Sequence, residues 1–160
     1  MAKIFSLCGL ICAGKSTYAQ RLRKEMDAAL LSVDEITLAL FHEDVGEMHD
    51  VYVERAEKYL YRKAVELAEV GIDSVLDIGL WTRAKRDGAR AYFAQKGVEF
   101  EIHYLTVPRD EWFRRIAQRN AAVKAGACEA YFVDGGLAEK CLDLFEPPQE
   151  DETVKVVKDI

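Results

Sequence analysis

The sequence predicts an α/β fold, a parallel five-stranded sheet with helices on both faces. Three observations predict it. Short apolar runs alternate with longer helical patterns, the order that gives parallel strands joined by crossover helices. The first run, Ile4 to Cys8, leads directly into Gly9-Leu10-Ile11-Cys12-Ala13-Gly14-Lys15-Ser16-Thr17, which reads G-x-x-x-x-G-K-S. A helical run from Ser16 to Met26 follows at once, so strand, glycine loop and helix stand in the order a phosphate-binding loop requires.

The elements follow in order. Strand one is Lys3 to Cys8. The loop and helix one carry the chain to about Asp27. Ala29 to Val33 is a short apolar strand, and Asp34-Glu35 opens a helix marked by Ile36, Leu38, Ala39, Leu40 and Phe41. Asp34 therefore falls at a strand's C-terminal end, on the edge where open α/β sheets bind ligands, and strand two is expected beside strand one. A polar, acidic connection runs from His42 to His49. A long helix from Val51 ends near Gly71, and Ile72 to Ile78 is strand three, with Asp77 at its C-terminal end. Thr82 caps a helix from Arg83 to Gln95, which Gly97 ends. Val98 to Val107 is strand four. Pro108 opens a helix whose apolar face carries Trp112, Phe113, Ile116 and Ala117. Asn120 to Val133 is less regular. Asp134-Gly135-Gly136 is a turn, a short helix reaches Phe145, Pro147-Pro148 stops it, and Thr153 to Val157 is a fifth, edge strand. With the glycine loop after strand one, the pattern is a P-loop NTPase three-layer sandwich, a single domain over 1–160 with a lid at about 119–133.

Composition narrows the function. The chain has 160 residues, half of them hydrophobic, and a net charge of −6. That suits one soluble domain and disfavours a broad nucleic-acid surface, which needs clustered Lys and Arg. No apolar run is long enough for a membrane span, and strand one begins at Lys3, so a cytoplasmic protein without a signal peptide is expected. Cys8, Cys12, Cys128 and Cys141 have neither C-x-x-C nor zinc spacing and read as reduced thiols. His42, His49 and His103 have no partner spacing and read as structural.

The loop supplies the chemistry. Gly9 and Gly14 allow backbone conformations that let successive N–H groups, from Leu10 through Cys12 and Ala13 to Thr17, turn toward one anion. A helix N-terminus favours a phosphate there. Lys15 would reach the β- and γ-phosphates of ATP, the Ser16 hydroxyl would ligate Mg²⁺, and Thr17 would reach the α-phosphate. No Asn-Lys-x-Asp is present to read guanine, since Asn120 is the only asparagine and Ala121 follows it. The chain is also too short for the second helical domain of large oligomeric ATPases. A small kinase fits. Asp34 is either a helix cap or the base for an acceptor hydroxyl. Asp77 could orient the Mg²⁺ shell, pair with an arginine or hold substrate. Arg115 and Arg119 share a helix face, as lid arginines or as a solvated basic surface. Arg83, Lys85 and Arg86 could meet an anionic substrate or line a helix surface, and Trp81 could stack on an acceptor or anchor a loop.

Residues 9–17, Ser-Val-Asp-Glu-Ile at 32–36, Val-Leu-Asp-Ile-Gly-Leu-Trp-Thr-Arg-Ala-Lys-Arg at 75–86, the Val-Pro…Arg-Arg…Arg-Asn run at 107–120 and Phe-Glu-Pro-Pro at 145–148 give the chain a resemblance. It resembles the small P-loop kinases that include polynucleotide 5′-hydroxyl kinase, zeta toxin and chloramphenicol phosphotransferase. The resemblance implies that Asp34 activates the acceptor hydroxyl, that Lys15 and Ser16 contact phosphate and Mg²⁺, and that Arg115 and Arg119 are lid arginines. The polynucleotide kinases carry an arginine about one turn after the aspartate. Leu38 stands there, which with the acidic composition disfavours nucleic acid. The expectation is an ATP- and Mg²⁺-dependent kinase, monomeric or homodimeric. It would act on a small-molecule hydroxyl, with Lys15, Asp34, Arg115 and Arg119 catalytic and Asp34, Asp77 and Arg83 holding substrate. The alternatives are a nucleotide or nucleic-acid 5′-hydroxyl kinase and an ATP-bound regulatory module.

Overall fold

The computed structural model describes residues 1–41, 45–128 and 130–158. His42 and the start of the His42–His49 connection lie outside the described residues. Five strands, β1 (Lys3–Cys8), β2 (Ala29–Ser32), β3 (Ser74–Asp77), β4 (Glu99–Leu105) and β5 (Lys155–Val157), alternate with six helices, α1 (Lys15–Glu25), α2 (Val33–Leu40), α3 (His49–Glu69), α4 (Arg83–Gln95), α5 (Arg109–Lys124) and α6 (Gly135–Leu144). Every strand pair is parallel, in the order β2-β3-β1-β4-β5.

Strand two is therefore not beside strand one. β3 lies between them, with Phe5 opposite Val75 and Leu30 opposite Val75 on its other side. The apolar content explains the choice. Val75 and Leu76 are fully buried, as a strand covered on both faces must be, whereas Ala29 to Leu31 are only half-buried, as suits an edge. The carboxylate nearest the loop strand is consequently that of Asp77, and Asp34 stands one strand further out.

The sheet's two faces have separate cores. On one, Ala56, Leu60, Ala64 and Val65 of α3 and Ala89 and Phe93 of α4 pack on Ile4, Leu76 and Ile102. On the other, Tyr18, Ala19 and Leu22 of α1 pack on Phe5, Leu7, Val75 and Leu105. Alternate residues of one strand thus serve opposite layers, as the two-residue strand period requires. A third cluster, Trp112, Ile116, Val133 and Ala138, packs against Leu10, Ile11 and Cys12 of the glycine loop. Phe113, expected on that apolar face, is exposed instead.

Several boundaries move. Pro108 is the N-cap residue of α5 rather than its first turn. α5 runs through the stretch read as irregular from Asn120, reaching Lys124, because Ala121 and Ala122 are strong helix formers and Asn120 places its polar side chain on Val133. Asp134 caps α6 by accepting from Leu137 N–H, so Gly135 and Gly136 belong to the helix's first turn. Thr82 caps α4 as expected, accepting from Lys85 N–H at 3.2 Å.

The acidic stretch near the C-terminus folds over the start of α4. Arg86, completely buried, donates through Nε and Nη2 to the two Glu152 carboxylate oxygens at 2.7 and 2.8 Å. Its Nη1 donates to the carbonyls of Leu80 and Trp81 at 3.1 and 3.5 Å. Arg83 is bidentate on Asp151, and Lys85 pairs with Glu57. All three cations after strand three are thus engaged by carboxylates. No helix among the described residues is long and apolar enough to cross a membrane.

Replacing both partners of such a pair by apolar groups can cost little, but removing one strands the other. Glu152→Gln is therefore expected to destabilise the fold by about 3 kcal/mol, lowering Tm by roughly 10 °C, measured by calorimetry. The Arg86 hydrogen bonds hold the Glu152 carboxyl down at about 2, against 4.5 ordinarily. This contribution is complete above pH 4.5 and is lost as pH falls toward 2. The variant should lack that component of the acid sensitivity.

Candidate active site

The glycine loop is held from behind by α5. Trp112 Nε1 donates to the Ile11 carbonyl at 2.5 Å, and Arg115 Nη1 donates to the Ala13 carbonyl at 3.2 Å. Glu111 accepts from Arg115 Nε at 2.8 Å and so orients it. Lys15 Nζ crosses the loop and donates to the Gly9 and Leu10 carbonyls at 3.0 and 2.6 Å. Cys12 (φ 58°) and Gly14 (φ 92°) take left-handed conformations. At Gly9 a Cβ would lie 2.9 Å from the Leu105 carbonyl, so only glycine fits against β4. Gly14 is the N-cap of α1 and supplies no side-chain cap, which leaves the first N–H groups of that helix to another acceptor.

Beside the loop, Ser16 Oγ donates to Asp77 Oδ2 at 2.9 Å. Burial raises the Asp77 carboxyl above the ordinary range, and the Ser16 hydrogen bond and Lys15 work against this. Burial lowers the Lys15 ammonium, opposed by Asp77 and Asp34 and reinforced by Arg119. Lys15, Asp77, Asp34 and Arg119 thus share one electrostatic environment at the C-terminal edge of the sheet. The two readings of Asp34 separate here. Ser32 is the N-cap of α2 and accepts from Glu35 N–H at 3.3 Å, so Asp34 is not the cap and lies exposed on the first helical turn. Thr17 is exposed on α1.

Arg83 is not brought to this cluster. Its guanidinium lies on Asp151, and its own N–H donates to Glu146. Trp81 lies against Gly79, where a Cβ would overlap the indole, so it packs its own loop. His103 is buried between Tyr18 and Glu101, and His49 meets Tyr131 edge-on. The four cysteines are free. Burial pushes the Cys8 and Cys141 thiols up to about 11, which leaves them unreactive. Three site residues escape a sequence reading. Trp112 reads as one of the apolar-face residues of its helix, Glu111 carries no signal of its own, and Tyr131 falls in the irregular segment.

The donors present fit the groups the loop implies. A hydroxyl and a carboxylate oxygen 2.9 Å apart are hard oxygen ligands suited to Mg²⁺, which keeps most of its remaining coordination for water and phosphate. An uncapped helix N-terminus beside a lysine suits polyphosphate.

Strand, nest, helix and the Ser16–Asp77 pair define the P-loop nucleotide-binding class, and the fold is that of the small P-loop kinases. The chain belongs to the AAA domain family, whose model matches residues 4–132. It is similar in structure to an APS kinase of Mycobacterium tuberculosis solved with AMPPNP and APS, at 19% identity over 98% of this chain and 88% of that one, TM-score 0.69. A sugar kinase of Janibacter sp. is similar at 16% identity over 99% and 86%, TM-score 0.69. A gluconokinase of Sinorhizobium meliloti is similar at 12% identity over 98% and 82%, TM-score 0.66. No curated protein matches the sequence.

If Ser16 and Asp77 hold the cation, Asp77→Asn should weaken MgATP binding by roughly tenfold or more while ATP titrated in EDTA binds as in the unsubstituted protein. Calorimetric titrations with and without Mg²⁺ check this.

Proposed function

We propose that the protein is an ATP-dependent kinase that transfers the γ-phosphoryl group to a hydroxyl of a small-molecule acceptor. One observation carries the reading. Asp34, freed from capping by Ser32, lies exposed on the first turn of α2, within electrostatic reach of Lys15 and Asp77. An exposed carboxylate there is available to take an acceptor proton.

In this reading the loop N–H groups and Lys15 hold the β- and γ-phosphates of ATP. Ser16 and Asp77 would hold Mg²⁺, which when bound neutralises phosphate charge. The acceptor oxygen forms a bond to the γ-phosphorus as the bond to the β,γ-bridging oxygen breaks. ADP leaves, and the acceptor proton passes to Asp34. Arg119, within electrostatic reach of Lys15 and Asp77, would stabilise charge on the transferred group, and Arg115 would add positive charge while fixing the loop. Arg83, engaged by Asp151, is given no part in the transfer. The fold's likeness to kinases of sugars, gluconate and APS supports a small acceptor, and the net charge of −6 supports it over nucleic acid.

The test is transfer from γ-labelled ATP with Mg²⁺ to pooled sugars, polyols, nucleosides and short oligonucleotides. A small-molecule pool should be labelled. Asp34→Asn should slow that labelling by about 10²–10⁴-fold and leave ATP affinity within about twofold. Label confined to oligonucleotides would overturn the acceptor class. Unchanged transfer by Asp34→Asn would overturn the role of Asp34.

A further inference from the structure

Residues 130–133 join two parts of the candidate site that are far apart in sequence. At one end, the Asn120 side chain grips the backbone of Val133. Its Nδ2 donates to the Val133 carbonyl at 2.6 Å, and its Oδ1 accepts from the Val133 N–H at 2.8 Å. Asn120 directly follows Arg119, the cation that shares the electrostatic environment of Lys15 and Asp77. At the other end, Tyr131 Oη lies 2.7 Å from Thr37 Oγ1, and the Tyr131 ring meets His49 edge-on with centroids 5.4 Å apart.

Thr37 is buried, at 2% exposure, one turn after Asp34 on α2. Its hydroxyl donates to the Asp34 carbonyl at 3.3 Å. The shorter contact joins the Thr37 and Tyr131 hydroxyls, either of which can donate. The contacts therefore link Tyr131 through Thr37 to the backbone of Asp34. α2 has only eight residues, too few for a helix to persist on local bonds, so the position of its first turn depends on such outside contacts.

We propose that residues 130–133 form a strap that fixes the Asp34 turn to the Arg119 end of α5, with Tyr131, Thr37 and Asn120 as positioning residues. Phosphate held on the Arg119 side then orders the acceptor side through the strap. This second step rests on the kinase reading of Arg119 and Asp34. The strap itself does not.

Amide hydrogen exchange on the full chain, with and without Mg²⁺ and AMPPNP, tests it. In the unsubstituted protein AMPPNP should slow exchange in α1 and also in α2. Tyr131→Phe should exchange about fivefold faster in α2, the factor carried by one net hydrogen bond. It should lose the AMPPNP effect in α2 and keep it in α1. Thr37→Val should behave like Tyr131→Phe, and Thr37→Ser, which keeps the hydroxyl, should restore both effects. Unchanged α2 exchange in Tyr131→Phe would overturn the proposal. So would equal acceleration in all helices, which marks a merely structural loss. Absence of any AMPPNP effect in the unsubstituted protein would instead overturn the kinase reading, while the ligand-free comparison still decides whether the strap holds α2.

Discussion

Four carbonyl groups of the glycine loop accept from side chains, and the site depends on that. Trp112 takes the Ile11 carbonyl, Arg115 takes that of Ala13, and Lys15 takes those of Gly9 and Leu10. A loop whose carbonyls are engaged on one side can offer N–H groups on the other. The left-handed backbone at Cys12 costs on the order of 1 kcal/mol for a residue with a side chain, and these contacts hold it. The nest is thus built by α5 as much as by its own glycines.

The other wall of the site rests on the buried Arg86–Glu152 pair. Arg86 ties down the Leu80 and Trp81 carbonyls just after β3, where Leu80 is itself left-handed. The Gly79 carbonyl in that turn accepts from Gly9 N–H at 3.4 Å. A carboxylate near the C-terminus thereby fixes the turn between Asp77 and the phosphate loop. Arg86 thus supports the shape of the site, and Asp151 and Glu152 in the acidic stretch have a structural use as partners of Arg83 and Arg86.

Much of this was legible in the sequence. Gly9 to Thr17 between an apolar run and a helical one specified the nest, because glycine positions, lysine and hydroxyl are chemically required there. The five strands were legible from short apolar runs. Their order was not. Period and composition place Ala29–Ser32 and Ser74–Asp77 as strands, but the pairing depends on which is buried on both faces. The Asp34 alternatives stayed open because Ser32 and Asp34 are both good capping residues, and only the helix boundary distinguishes them. The pairings of Arg83, Lys85 and Arg86 were hidden for another reason. Their partners stand as far as 68 residues away, and nothing local distinguishes a buried guanidinium from a solvated one. Tyr131 and Asn120 sit in a stretch with no clear period, so their contacts left no signal.

Phosphoryl transfer here requires that the loop and Lys15 act as a polyphosphate site. Calorimetric titration of MgATP into the unsubstituted protein and into Lys15→Ala tests it most directly. Saturable binding is expected, weakened by about 30-fold or more in Lys15→Ala, as when one partner of a buried charged contact is removed. Equal affinity in the two proteins, or no binding in either, would contradict it.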